Sequence, residues 1–107
     1  MSTKKYQIGI KQIEEAYGKV TFGRLLKSHR LAEELTQAQL AKLLKISKQN
    51  LNDLETGRKS PSLKRALKIT KKLNLLEEVV AQIVIQDQLD RENLHLTVKV
   101  SKKLRAA

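Results

Sequence analysis

The chain has 107 residues, of which 40% are hydrophobic but only 3% aromatic, and it contains no cysteine. That is room for one domain whose core must be built from Leu, Ile, Val and Ala, which suits small helices and excludes a disulfide scaffold or thiolate zinc site. Lys and Arg number 22 against 11 acids, and the net charge of +11 suits a polyanionic partner.

Met1 to Lys5 leads into no long apolar stretch, and no run approaches ~18 apolar residues. A cytoplasmic protein with no membrane partner is therefore expected. The charge is segregated along the chain. Ten bases (Lys42, Lys45, Lys48, Arg58, Lys59, Lys64, Arg65, Lys68, Lys71, Lys72) face only Asp53 and Glu55 between Thr36 and Lys72, a local charge of +8. From Asn74 to Asn93 the charge is −4, and from Leu94 onward it returns to +4. The central segment is the one suited to phosphates.

In chain order, residues 1–20 read as an N-terminal arm in which Tyr6, Ile8 and Ile10 alternate weakly. Thr21 caps a first helix with Phe22, Leu25, Leu26 and His29 on one face. Thr36 opens a second with a T-x-x-Q capping box to Gln39, and Leu40, Leu43 and Leu44 form its apolar stripe. After the turn at Lys45 and Ile46, Ser47 caps a third helix whose Leu51 and Leu54 face inward, and Gly57 ends it. Ser60-Pro61-Ser62 supplies a cap and a first-turn proline for a fourth helix, with Leu63, Ala66, Leu67, Thr70 and Leu73 as core stripe. A fifth runs from about Leu76 to Arg91. Its middle, Val79 to Ile85, is apolar nearly all round and rich in β-branched residues, so a strand is also conceivable there, but the flanking Glu, Gln and Leu favour a helix buried on two sides. Finally Leu94, Leu96, Val98 and Val100 alternate with polar residues, which is strand periodicity. The expected fold is thus mostly α, a compact bundle of four or five helices with a short C-terminal strand.

The segment Thr36 to Arg58 holds two short helices joined by a tight turn. Packing their apolar stripes against the first and fourth helices leaves one face of the third bare. Lys48, Gln49, Asn52 and Asp53 lie on that face, with Asn50 at its margin, and all can exchange hydrogen bonds with base edges in a major groove. A solvated surface on a plain bundle remains open on spacing alone, and the basic surroundings favour the groove.

The blocks L-T-Q-x-x-L-A (Leu35 to Ala41), I-S (Ile46, Ser47), L-E-x-G-R (Leu54 to Arg58) and P-S-L (Pro61 to Leu63) stand in order. Over Phe22 to Leu73 the chain resembles the phage-repressor and Cro-type helix-turn-helix family, often called XRE-type. The resemblance implies a bundle that binds double-stranded DNA, usually as a two-fold dimer. It implies base contacts from Ser47, Lys48, Gln49 and Asp53, with Asn50 and Asn52 beside them, and phosphate contacts from Gln37, Thr56, Arg58 and Lys59. Lys64, in the same basic segment, is grouped with these. Arg30 and Glu55 correspond to an internal ion pair between the first and third helices.

Two departures stand out. The family usually has glycine where Lys45 stands, so Lys45 is expected in a left-handed conformation at some cost. His29 replaces an aliphatic core residue and reads as a histidine at the edge of the core. Asp53 toward the groove would repel phosphate, yet could accept from a cytosine amino group; a solubility role is the other reading.

Catalysis is not expected. His29 and His95 are the only histidines, there is no phosphate loop or metal-ligand pattern, and no cofactor is implied. The expected function is a sequence-specific transcriptional regulator, a repressor, with residues 21–92 as its DNA-binding domain and 93–107 as a strand and basic tail. Antitoxins of the HigA and HipB type, which repress their own operon and bind a toxin, are a subclass within this reading. A protein-interaction adaptor and a non-specific packaging protein are the alternatives. The expected partner surface comprises Val79, Val80, Ile83 and Val84 of the fifth helix with Leu94, Leu96, Val98 and Val100. The strand's candidate partners are the Tyr6–Ile10 segment, the same strand of a second copy, or the sheet edge of a bound protein. A homodimer would place two third helices about 34 Å apart on a near-palindromic operator.

Overall fold

A computed structural model describes residues 19–103, and the Tyr6–Ile10 segment lies outside them. The described chain forms helices α1 (Phe22–Ala32), α2 (Gln37–Leu44), α3 (Lys48–Thr56), α4 (Leu63–Leu73) and α5 (Glu77–Arg91). None is long and apolar enough to cross a membrane.

Four of the five starts are capped by hydroxyls. Thr21, Thr36, Ser47 and Ser62 each accept from the backbone N–H three residues on, at 3.0–3.2 Å. Gln39 Oε1 also accepts from the Thr36 N–H at 2.8 Å, completing the capping box. Ser62, not Ser60, caps α4, so Pro61 stands one residue outside the helix instead of in its first turn. Two helices end on left-handed residues that carry a Cβ: Lys45 (φ 59°) after α2 and Asn74 (φ 59°) after α4. The strain expected at Lys45 is therefore present.

Phe22, Leu26, Leu40, Leu44, Leu51, Leu54, Ala66, Ile69, Val80 and Val84 form one buried cluster. α3 packs on α1 and α2, and α5 packs on α4 and α1. Helix α2 turns slightly from its expected face: Ala41 is buried, while Leu43 is 50% exposed. Ile69 joins the core of α4, and the buried Thr70 satisfies its hydroxyl by donating to the Ala66 carbonyl at 2.7 Å. Gly23 permits the α1–α3 contact, because a Cβ there would overlap the Leu54 carbonyl oxygen and stand 2.9 Å from that of Glu55.

The strand expected over Leu94 to Val100 does not form among the described residues. This stretch has no regular secondary structure, and glutamines of α5 hydrogen-bond its backbone in place of a neighbouring strand. Gln86 donates to the Leu96 carbonyl and accepts from the Val98 N–H, both at 2.9 Å, and Gln82 accepts from the Val100 N–H at 3.0 Å. A segment outside any ladder still needs its backbone groups satisfied, and side-chain amides one helical turn apart can do this. Val80 (1% exposed) and Val84 (3%) are buried in the chain's own core, while Val79 and Ile83 are half-buried. The apolar band of α5 is thus largely covered by its own chain.

Candidate nucleic-acid interface

α3 is held from below by a buried charge pair. Arg30 of α1 donates through Nε and Nη2 to the two Glu55 carboxylate oxygens at 2.7 and 3.1 Å, and through Nη1 to the Leu35 carbonyl at 3.0 Å. The two-pronged geometry is charge-assisted, and the hydrogen bonds Arg30 donates to Glu55 raise the Arg30 pKa. Gln37 at the start of α2 adds a third tie, donating to Glu55 Oε1 at 3.0 Å and to Asn52 Oδ1 at 3.1 Å. One carboxylate thereby connects the first three helices. The Arg30–Glu55 pair is where the sequence put it; Gln37 bonds to protein in the free chain.

With Leu51 and Leu54 buried beneath, α3 turns an exposed row outward. Ser47, Lys48 and Gln49 are exposed, and Asn50 and Asn52 are half-buried beside them. Asp53 is placed otherwise: it is 4% exposed, accepts from Gln49 Nε2 at 3.0 Å, and has Lys59 Nζ 3.5 Å and Arg58 Nη1 4.0 Å from its oxygens. Its carboxylate lies beneath the row, not in it. Thr56 is exposed but donates its hydroxyl to the Asn52 carbonyl of its own helix at 2.9 Å. Arg58, Lys59 and Lys64 are exposed on the loop and helix that follow.

The loop after α3 is shaped by Gly57 (φ 80°) and closed by the Lys59 N–H donating to the Asp53 carbonyl at 3.1 Å. Asn50, Lys59 and Arg65 line a cleft of about 260 Å³ between this loop and α4. Beyond it, Lys45, Lys64, Arg65, Lys68 and Lys72 rim a shallow groove of about 520 Å³ floored by Leu44, Ile46 and Ile69. No acidic residue lines either. The far end of α5 braces the loop from behind, with Arg91 donating to the Gly57 carbonyl at 3.2 Å and to Asp87 at 2.7 Å. Sequence reading missed this brace, since only the fold brings residues 57 and 91 together.

Two adjacent helices across a tight turn, the second with an exposed polar row and a basic loop behind it, are the geometry that enters a major groove. The helix-turn-helix family model matches residues 26–79. The chain belongs to the phage-repressor and Cro-type helix-turn-helix family. Among curated relatives, it is 37% identical over 73 residues to the ImmF control-region protein of Bacillus phage phi105, covering 64% of this chain and 81% of that one. It is 48% identical over 46 residues to an uncharacterised helix-turn-helix-type transcriptional regulator of Methanocaldococcus jannaschii, covering 43% and 70% respectively. No solved structure matches it significantly.

Proposed function

We propose that this DNA-binding transcriptional regulator is a repressor that occupies a near-palindromic operator as a homodimer, reading bases with α3 and holding phosphates with the basic loop behind it. The observation that carries the reading is the exposed row Ser47, Lys48 and Gln49 on a helix locked by the buried Arg30–Glu55 pair, with Arg58, Lys59 and Lys64 exposed behind it. A rigid polar row suits base edges, whereas flexible cations suit phosphates, which need charge more than fixed geometry. Asn50 and Asn52 border the row and extend its footprint. Gln37 and Thr56 reach the backbone by exchanging their internal hydrogen bonds for phosphate contacts. The protein acts by occupying DNA, with no chemical step.

The test combines salt dependence with two substitutions. Neutralising about six to ten phosphates gives a slope of log K against log salt of roughly −5 to −9. Gln49→Ala relaxes preference at particular base pairs, at about 1–3 kcal/mol for a good bidentate contact, while Arg58→Ala weakens all sequences about equally. Binding that ignores salt, or uniform losses from both variants, would contradict the proposal.

A further inference from the structure

The contact between Gln49 and Asp53 has a directional consequence. An ionised carboxylate only accepts hydrogen bonds, whereas a glutamine amide has a donating and an accepting end. Asp53 is buried and fixed from the helix backbone, and it takes the Nε2 end of Gln49 at 3.0 Å, one helical turn away. A rotation of the amide by half a turn would set Oε1 against the carboxylate, two acceptors face to face. The amide is therefore held with nitrogen toward Asp53, leaving Oε1 and one N–H for a ligand. Arg58 and Lys59 stand at 4.0 and 3.5 Å from the same carboxylate, so its charge is compensated beside phosphates.

One acceptor and one donor match the N6 amino group and N7 of adenine, whereas guanine presents two acceptors, O6 and N7. We propose that Asp53 is a positioning residue for base reading: it orients the Gln49 amide so that this side chain prefers adenine over guanine at the base pair it faces. The inference rests on the reading that α3 reads bases. It also gives Asp53 a role distinct from touching a base or solubilising the surface.

The test is selection of bound DNA from a random pool by the full chain and by Gln49→Ala, Asp53→Asn and Asp53→Glu, each checked by thermal melting. The wild type enriches adenine over guanine about tenfold at one position of each half-site, and Gln49→Ala loses that preference alone. Asp53→Asn, whose amide can face Gln49 with either end, brings adenine and guanine toward parity there while preferences elsewhere persist. Asp53→Glu, which keeps an acceptor-only group, retains part of the preference. A structural role would instead weaken all sequences alike. If Gln49→Ala loses the preference but Asp53→Asn keeps it, the positioning role is overturned and base reading by α3 stands. If Gln49→Ala changes no preference, Gln49 is not a reader and both fall. A second measurement needs no variant: in the free protein one Gln49 side-chain amide proton resonates downfield and exchanges slowly, and two ordinary amide protons would overturn the proposal even if Asp53→Asn failed to fold.

Discussion

At the scale of single residues, Glu55 concentrates more of the architecture than any other polar side chain described. It accepts from Arg30 and Gln37 within a space that water scarcely enters, so loss of one partner strands a charge. Arg30→Ala should lower stability by about 3–5 kcal/mol, with a clear fall in melting temperature and weaker DNA binding. Replacing both members by apolar residues of similar size, Arg30→Met with Glu55→Leu, should recover much of that stability, because no charge is then left buried. Equal melting temperatures for Arg30→Ala and wild type would contradict a buried pair. This pair was legible from the L-E-x-G-R block and its resemblance. The burial of Asp53 was not, because helical spacing places it on the outer face and only the Gln49, Arg58 and Lys59 side chains fold over it.

At the scale of elements, α5 does two things that its own pattern only half reveals. Its apolar side fills the core against α4 and α1, as the run of Val and Ile suggests. Its C-terminal end holds Lys19 through Asp87 and Asp90, at 2.9 and 2.7 Å, and braces the loop after α3. Burial pushes the Asp87 carboxyl up, but hydrogen bonds from Lys19 and Arg91 outweigh it, and its pKa lies below the usual carboxylate value. Asp90 is lowered as well, chiefly by its hydrogen bond from Lys19. A depressed carboxylate contributes stability that is complete above the unfolded pKa of about 3.9 and is lost as pH falls through the lower folded value. Asp87→Asn should therefore melt below the wild type near neutral pH, with the gap closing in acid below about pH 4. A gap that stays constant down to about pH 2 would show that the ionised carboxylate is not what matters. Because Arg91 also holds Gly57, the same variant should loosen the loop that carries Arg58 and Lys59, visible as faster amide exchange there.

At the scale of the whole molecule, the proposed homodimer would be joined through the C-terminal segment. Leu94 and Leu96 are 46% and 58% exposed, and the backbone groups of Thr97 and Lys99 carry no hydrogen bond among the described residues. With Val80 and Val84 buried inside the chain, Leu94, Leu96 and the half-buried Val79, Ile83, Val98 and Val100 are what remains accessible of the expected partner surface. Deleting residues 94–107 should reduce the mass seen by light scattering to a monomer and weaken operator binding. A truncated protein that stays dimeric and binds as before would rule out the segment as the dimer contact and favour a docking arm for another protein, such as a toxin. The sequence by itself determined the five helices, the caps at Thr21, Thr36 and Ser47 and the strained turn at Lys45, because capping, periodicity and turn chemistry are local and act over three or four residues, while its motif blocks carried the resemblance that placed the helix-turn-helix and its ion pair. Only the tertiary structure decided that Gln82 and Gln86 would replace a β-partner, that Gly23 must lack a side chain, and that Arg91 would reach Gly57. Those contacts join residues 10 to 34 positions apart, and which side chain meets which backbone group there depends on how the helices pack.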